Sequence, residues 1–290
     1  MAKPPAETQP SLALVRALIR EQHPSFARLP VTEGTSGWDN DIFRLGEALA
    51  VRLPRREAAV ALLENEQRWL PLLQPRLPLR VSAPVAVGKP QGGFPWRWSI
   101  TPWFEGLTLD QSPLDRDQVE ALASFLKALH TPAPADAPFN PWRSTPLAQL
   151  QPAFDRCVEA LAAGEWAVDA RLRRIWEEAA RDPPDIAPTW VHGDLHVRNV
   201  LVHRGRISAV IDWGDMARGD PASDLAATWM LLPQADRREQ LMSRCAGVSR
   251  QTWSRARGRA LLYALNVLRA ADPEHVEAGV QTLQRLRDGP

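Results

Sequence analysis

The chain has 290 residues, 44% of them hydrophobic, with 35 basic and 34 acidic side chains and a net charge of +1. That length can bury a large core in one domain or two lobes. The charge balance argues against nucleic acid or an anionic membrane as the main partner, because either favours a basic surplus. Cys157 and Cys245 are the only cysteines. They make neither a disulfide framework nor a thiolate zinc site, and they suit a reducing cytosol. The opening MAKPPAETQP lacks the apolar core of a signal peptide, and no run reaches the roughly 18–20 apolar residues that span a bilayer. The expectation is a soluble cytoplasmic protein; the oligomeric state is not legible.

Residues 1–10 are proline-rich and are expected to fray. Ser11 can cap a helix over 12–22, with Leu12, Val15, Leu18 and Ile19 in one stripe. Short strand-like segments follow. LPV at 29–31 leads into the loop TEGTSGWDN, and DIFRL (41–45) and ALAVRL (48–53) read as a hairpin turning at Gly46-Glu47. A helix over 57–73 comes next, then strands near 84–88 and 96–101 around the turn GKPQGG. After TPWFEG (101–106) helical patterns dominate, at 115–130, 147–163 and 169–181, with a proline-rich loop between the first two. The reading is α+β: an N-terminal lobe over 1–105 with a small antiparallel sheet and one helix, and a mainly helical lobe over 106–290.

VHGDLHVRNVLV (191–202) places His192, Asp194, His196, Arg198 and Asn199 within eight residues. Three readings compete. Histidines four apart suit zinc on a helix, but this stretch reads as loop leading into strand, and no glutamate follows His192 as a helical zinc-protease motif requires. An ordinary polar turn is the bland reading. The third is a phosphotransferase loop. NVLV (199–202) and ISAVID (207–212) read as strands joined by the turn HRGR. If they form a tight hairpin, Asn199 begins one strand and Asp212 ends the other, at the same end. Asp194 enters that end from the preceding loop. Asn199 and Asp212 offer the oxygens that magnesium prefers, and Asp194 offers a carboxylate to orient a hydroxyl and accept its proton. His192 by itself reads as a loop-bracing side chain. Asp220-Pro221 reads as a helix start.

HGDLHVRN fits an H-x-D-x-x-x-x-N signature, and IDWGDMARGDPASDLA follows it with Asp212 18 residues after Asp194. In both motifs the chain resembles the aminoglycoside phosphotransferase family, from about the first helix to residue 232. The resemblance implies the bilobal protein-kinase-like fold and a magnesium- and nucleotide-dependent transfer of phosphate to a small-molecule hydroxyl. It implies that Asp194 is the catalytic carboxylate, that Asn199 and Asp212 hold Mg²⁺, and that Asp224 braces the catalytic loop. Val197-Arg198 replaces the Pro-Gly pair common in the family, which leaves Arg198 as a phosphate contact or a surface salt bridge. Asp215 has no evident role. The TEGTSGWDN loop, with Gly34 and Ser36, would lie over the phosphates, although two glycines three apart are a weak motif. TPWFEG fits the connector, where the Pro102 carbonyl and the Phe104 N–H would meet the adenine edge. ATP and GTP are not distinguished.

Kinase-like folds place a lysine on the third strand, paired with a glutamate on the next helix. Here the matching residue is Arg52. In the 57–73 helix, Glu66 lies four residues from both Leu62 and Leu70, on the face they share with Trp69 and Leu73. A carboxylate aimed at a core needs a partner, and Arg52 is the natural one. An arginine fork is not a geometric copy of lysine, which keeps a second reading open: a catalytically weak kinase-like protein that binds a nucleotide or a partner without turnover.

For the acceptor, residues 106–290 hold 24 acidic and 22 basic side chains, and after Asp224 the balance is 6 to 10, including RARGR at 255–259. No broad negative field awaits a polycation. Asp155 and Glu159 are four apart and could form one cationic subsite or a solvated helix face. Trp213 and Trp229 could wall a pocket or pack in the core. The expectation is a neutral or singly charged hydroxylated acceptor, macrolide-like or a small metabolite alcohol, rather than a classical aminoglycoside.

Overall fold

The structure is a computed structural model and describes residues 4–181 and 183–289. Of the described residues, 4–105, joined by Ala209–Gly214, form one compact unit, and Gly106–Ser208 with 215–289 form a second.

In the N-terminal unit, α1 spans Leu12–Gln22 and starts where the Ser11 Oγ accepts from the Leu14 N–H at 3.2 Å. Its buried stripe of Val15, Leu18 and Ile19 packs with Phe43, Leu45, Val51, Leu53, Trp98 and Ile100, which removes both the helix stripe and one sheet face from water. The strands are β1 (Val31–Ser36), β2 (Asn40–Leu45) and β3 (Leu49–Pro54), then, after helix α2 (Val60–Leu73), β4 (Ala86–Gly88) and β5 (Trp98–Pro102). They form one antiparallel sheet in the order β1-β2-β3-β5-β4.

Two expectations change here. Strand β1 runs on into TEGTSGWDN to Ser36, because Gly34 lets the strands close up: a Cβ there would meet the Ile42 carbonyl oxygen at 2.3 Å. The N-terminal segment is also not frayed where it is described. The Glu7 and Thr8 N–H groups both donate to the Arg55 carbonyl, at 2.8 and 3.3 Å, because the end of β3 leaves that acceptor free. Residues 1–3 of the segment lie outside the described residues.

The second unit begins with β6 (Leu107–Thr108), followed by α3 (Gln118–Leu129), α4 (Gln151–Leu161), α5 (Ala170–Arg181) and β7 (Thr189–Val191). Next come β8 (Val200–His203), β9 (Arg206–Val210), whose last two residues count with the first unit, and β10 (Ala217–Gly219). The chain ends in α6 (Ala222–Leu225), α7 (Ala227–Leu231), α8 (Ala235–Arg244), α9 (Arg250–Ala270) and α10 (Val276–Asp288). Strands β6, β8 and β9 make one small sheet, and β10 pairs with β7. Helix α9 is the central element, packed against α4, α5, α6 and α10. It starts where the Ser249 Oγ accepts from the Thr252 N–H at 2.9 Å. No helix among the described residues is long and apolar enough to cross a membrane.

Candidate active site

The HGDLHVRN stretch leaves β7 in a turn that only glycine fits. Gly193 has φ +85°, and a Cβ would lie 2.6 Å from the Asp215 carbonyl oxygen. Asp224 of α6 is fully buried and accepts from the backbone N–H groups of His192 and Gly193, each at 2.8 Å, with His130 Nε2 at 3.1 Å. Burial works to raise the Asp224 pKa, but His130, then His192 and the Gly193 N–H, outweigh it and hold it below the usual carboxylate range. The ring of His192 is buried, and its Nδ1 accepts from the Asp194 N–H at 3.2 Å. His192 and Asp224 therefore fix the backbone that presents Asp194.

The Asp194 carboxylate is 27% exposed and sits among polar partners. Arg143 Nη2 donates to Oδ1 at 2.6 Å, and His196 Nε2 lies 3.3 Å from Oδ2. Asn199 donates its amide nitrogen to the Asp194 carbonyl at 2.8 Å. That nitrogen is committed, so Oδ1 is the Asn199 atom left for a cation. Burial acts to raise the Asp194 pKa, but Arg143, then His196 and His192, overcome it, and the carboxyl is held well below its ordinary range. It is ionised at neutral pH. Arg143 also bonds Asp215 through Nε at 3.0 Å, and Asn140 donates to the same carboxylate at 3.0 Å. Asp194 faces a cavity of about 350 Å³ between the 142–143 loop, the loop at 193–195 and α9.

In the N-terminal unit Arg52 and Glu66 meet as the α2 pattern predicts. Two parallel bonds join them at 2.5 and 3.1 Å, with the side chains 9% and 3% exposed. The inward face of α2 carries Leu63, Trp69, Leu70 and Leu73; Leu63 anchors its start, and Leu62 is only half-buried. Asp212 Oδ1 stands 3.9 Å from Arg52 Nη2 and its side chain is 61% exposed. Burial opposes the Arg52 cation, but Glu66 and then Asp212 hold its pKa above the ordinary arginine value. Asp212 does not end a strand. It lies two residues beyond β9 with φ +61°, a left-handed conformation that costs about 1–3 kcal/mol and clusters at functional sites. Gly34 and Ser36 lie exposed on β1, and the Ser36 Oγ donates to Asp41. Pro102 ends β5 opposite Leu49. The Trp103 N–H donates to the Ala48 carbonyl, and among the described residues the Phe104 N–H has no acceptor.

Four pocket candidates do not line the cavity beside Asp194. Trp213 and Trp229 are fully buried. Trp213 donates Nε1 to the Val210 carbonyl, and Trp229 stacks edgewise on Trp253 at 6.3 Å; core packing claims both indoles. Asp155 and Glu159 are exposed on α4, whose opposite face buries Ala153, Phe154 and Cys157. Asp155 accepts from Gln151 at 2.8 Å, and neither acid lines the cavity beside Asp194. Arg198 makes a surface pair with Glu274 at 2.8 Å. Asp220 accepts from the Ala222 N–H and also pairs with the buried Arg255 at 2.5 Å.

Sequence reasoning missed Arg143, Arg259, Tyr263 and Arg269 beside the cavity. Arg143 sits in a proline-rich loop without periodicity, so nothing local marks it. Arg255 and Arg259 are four apart on α9, one helical turn, in register with the buried positions Ala256 and Ala260, and that spacing was a usable signal of inward-facing cations.

The profile of the phosphotransferase enzyme family (APH) matches residues 30–259. The aminoglycoside 3'-phosphotransferase of Escherichia coli is 30% identical over 144 residues, 47% of this chain and 52% of that protein. The chain thus spans about half the length of the curated relatives it matches. Among solved structures, the GDP complex of wild-type aminoglycoside 2'-phosphotransferase-IIIa superposes with a TM-score of 0.66 at 21% identity, over 96% of this chain and 99% of that one. The macrolide 2'-phosphotransferase from Brachybacterium faecium gives 0.60 at 22% identity, over 96% and 99%. At such identities these likenesses establish the α+β kinase-like fold.

Proposed function

The chain belongs to the phosphotransferase enzyme family, and on that premise we propose that it transfers the γ-phosphoryl group of ATP or GTP to a hydroxyl of a small molecule. The observation that carries this reading is the ionised Asp194, presented to a cavity by a loop that Asp224 and His192 fix from behind. The GDP complex of a structural neighbour supports nucleotide binding. Both cysteines are free thiols, which suits the reducing cytosol.

Each residue has a part. Asp194 accepts the hydrogen bond of the acceptor hydroxyl. Its low pKa makes it a weak base, so it orients the oxygen and takes the proton late, once bonding to phosphorus has made the hydroxyl acidic. The new bond joins the acceptor oxygen to the γ-phosphorus, the bond from that phosphorus to the bridging oxygen breaks, and nucleoside diphosphate leaves. Asn199, through Oδ1, and Asp212, through its exposed carboxylate, are hard oxygen donors of the kind Mg²⁺ takes, and they would hold it. The ion supplies neutralisation of phosphate charge. Arg52, kept cationic and oriented by Glu66, binds phosphate oxygens through its fork. The Phe104 N–H and the Pro102 carbonyl would serve a base edge, with Gly34 and Ser36 on the strand that would cover the phosphates.

The second reading, a kinase-like binding protein without turnover, rests on Arg52, whose bidentate bond to Glu66 engages much of its fork. One experiment separates the two. Melting temperature is measured with and without magnesium nucleotide, then diphosphate release is followed over a broad panel of hydroxylated acceptors, corrected for background hydrolysis. Binding with acceptor-dependent release supports the phosphotransferase; binding without release on any acceptor supports the second reading; no nucleotide binding refutes the phosphotransferase and leaves the second reading only its partner-binding form.

A further inference from the structure

The walls of the cavity beside Asp194 carry an excess of positive charge. Arg143, Arg259 and Arg269 line it, against Asp194 as its one lining carboxylate. Arg143 is neutralised by Asp194 and Asp215, at 2.6 and 2.9 Å. The other two are not. Arg259, 8% exposed, donates to the carbonyls of Trp142 and Thr145 at 2.7 and 2.5 Å, and its Nε has no partner. Arg269, half-buried, reaches the Asn266 amide oxygen at 3.4 Å and the neutral Cys157 thiol, and its Nε is also unpartnered. Among the described residues no carboxylate lies within 4 Å of either guanidinium. Burial pushes the Arg259 pKa down to about 10, with Asp220 opposing, so it is still cationic at neutral pH. Tyr263, on the same wall, has a buried hydroxyl without a partner.

Buried cations without counter-charge are unfavourable, and a ligand that supplies the charge regains what their desolvation cost. Carbonyl oxygens satisfy N–H groups but carry no net charge. A polycation entering this cavity would meet two unneutralised guanidiniums and only one carboxylate, itself already bonded to Arg143. A ligand with one anionic group and a hydroxyl fits both ends: the anion toward Arg259, Arg269 and the Tyr263 hydroxyl, the alcohol toward Asp194. Guanidinium forks match the planar or trigonal oxygens of carboxylate and phosphate.

We propose that the acceptor of this phosphotransferase is an anionic alcohol, a hydroxy acid or an alcohol already bearing a phosphate, held by Arg259 and Arg269. This rests on the phosphotransferase reading and specifies its substrate class. The phosphoryl transfer itself is unchanged; the anionic group takes no part in it.

The test uses the full chain and matched acceptors: glycerate and gluconate as acids, glycerol phosphate and glucose 6-phosphate as phosphate esters, glycerol and glucose as neutral alcohols, and kanamycin as polycation. Binding to enzyme saturated with magnesium and a non-hydrolysable nucleotide is measured by calorimetry, and diphosphate release gives kcat/KM. The anionic members should bind, and turn over, at least tenfold better than their neutral partners, with the better arm distinguishing carboxylate from phosphate. Arg269→Gln, at a half-buried position, should raise KM or Kd for the anion about tenfold, the loss of one charge-assisted bond, at an unchanged melting temperature. Arg259→Gln should act the same way if it folds, but Arg269→Gln alone suffices. Preference for neutral or polycationic acceptors, an Arg269→Gln effect below twofold, or no anion binding while nucleotide still binds would each overturn the proposal. Loss of nucleotide binding altogether would instead overturn the phosphotransferase reading.

Discussion

Replacing Arg52 by methionine leaves the Glu66 carboxylate, 3% exposed, with its two hydrogen-bond donors gone. Replacing Glu66 by leucine strands the Arg52 guanidinium, 9% exposed, with Asp212 at 3.9 Å and the more weakly acting Asp39 as its remaining counter-charges among the described residues. Breaking a buried pair from one side costs about 3–5 kcal/mol, whereas replacing both partners with apolar groups of similar volume is often close to neutral. The cycle of Arg52→Met, Glu66→Leu and the double variant should therefore show a coupling of about 3 kcal/mol or more. Urea unfolding at constant slope measures it. Nucleotide affinity should behave differently. Both single variants and the double should lose binding, because restoring an apolar core restores stability but not a cation for phosphate. Additivity within about 0.5 kcal/mol would refute the claim that the pair is a buried unit. Recovery of nucleotide affinity in the double variant would remove Arg52 from the phosphate site.

Asp194→Asn should lower kcat by about 10²–10⁴-fold with nucleotide affinity nearly intact; steady-state kinetics with a good acceptor showing less than a tenfold loss would contradict the role given to this carboxylate. Asp212→Ala should abolish the magnesium dependence of nucleotide binding, so a magnesium titration identical to that of the unaltered protein would exclude Asp212 as a ligand. Asp224→Asn leaves one of two buried N–H groups without an acceptor, at about 1–3 kcal/mol. Because the folded pKa of Asp224 is depressed, its stabilisation is complete above the unfolded value near 3.8 and is lost as pH falls through the folded one. The stability gap between the two proteins should thus narrow below about pH 4; a gap independent of pH from 6 to 2.5 would count against that ionisation. Gly193→Ala should destabilise the loop that carries Asp194, since its Cβ would lie 2.6 Å from the Asp215 carbonyl oxygen; an unaltered melting temperature and kcat would show that the turn is not constrained as described.

Much of the molecule was legible in the sequence where neighbours in sequence are also neighbours in space. The α1 stripe, its Ser11 cap and the β2–β3 hairpin follow from periods and turn residues within a few positions. So does the inward aim of Glu66, because its angular position on α2 is a property of the helix alone. Asp194 and Asn199 are five residues apart, and one loop conformation brings them together. What closes around them comes from far along the chain. Arg143 reaches Asp194 across 51 residues and Asp215 across 72, and Asp224 reaches His192 across 32. Arg259 reaches the carbonyl of Trp142 across 117. Local periodicity carries no information about such pairings, which depend on how segments distant in sequence fold together. Within each unit, folding buried Trp213 and Trp229 and left Asp155 and Glu159 in water. The residues proposed for phosphoryl transfer stand close together in the sequence, whereas the charge of the cavity beside Asp194 was decided by tertiary structure, because a net count over the helical unit cannot tell a guanidinium neutralised by a carboxylate from one held only by carbonyl oxygens.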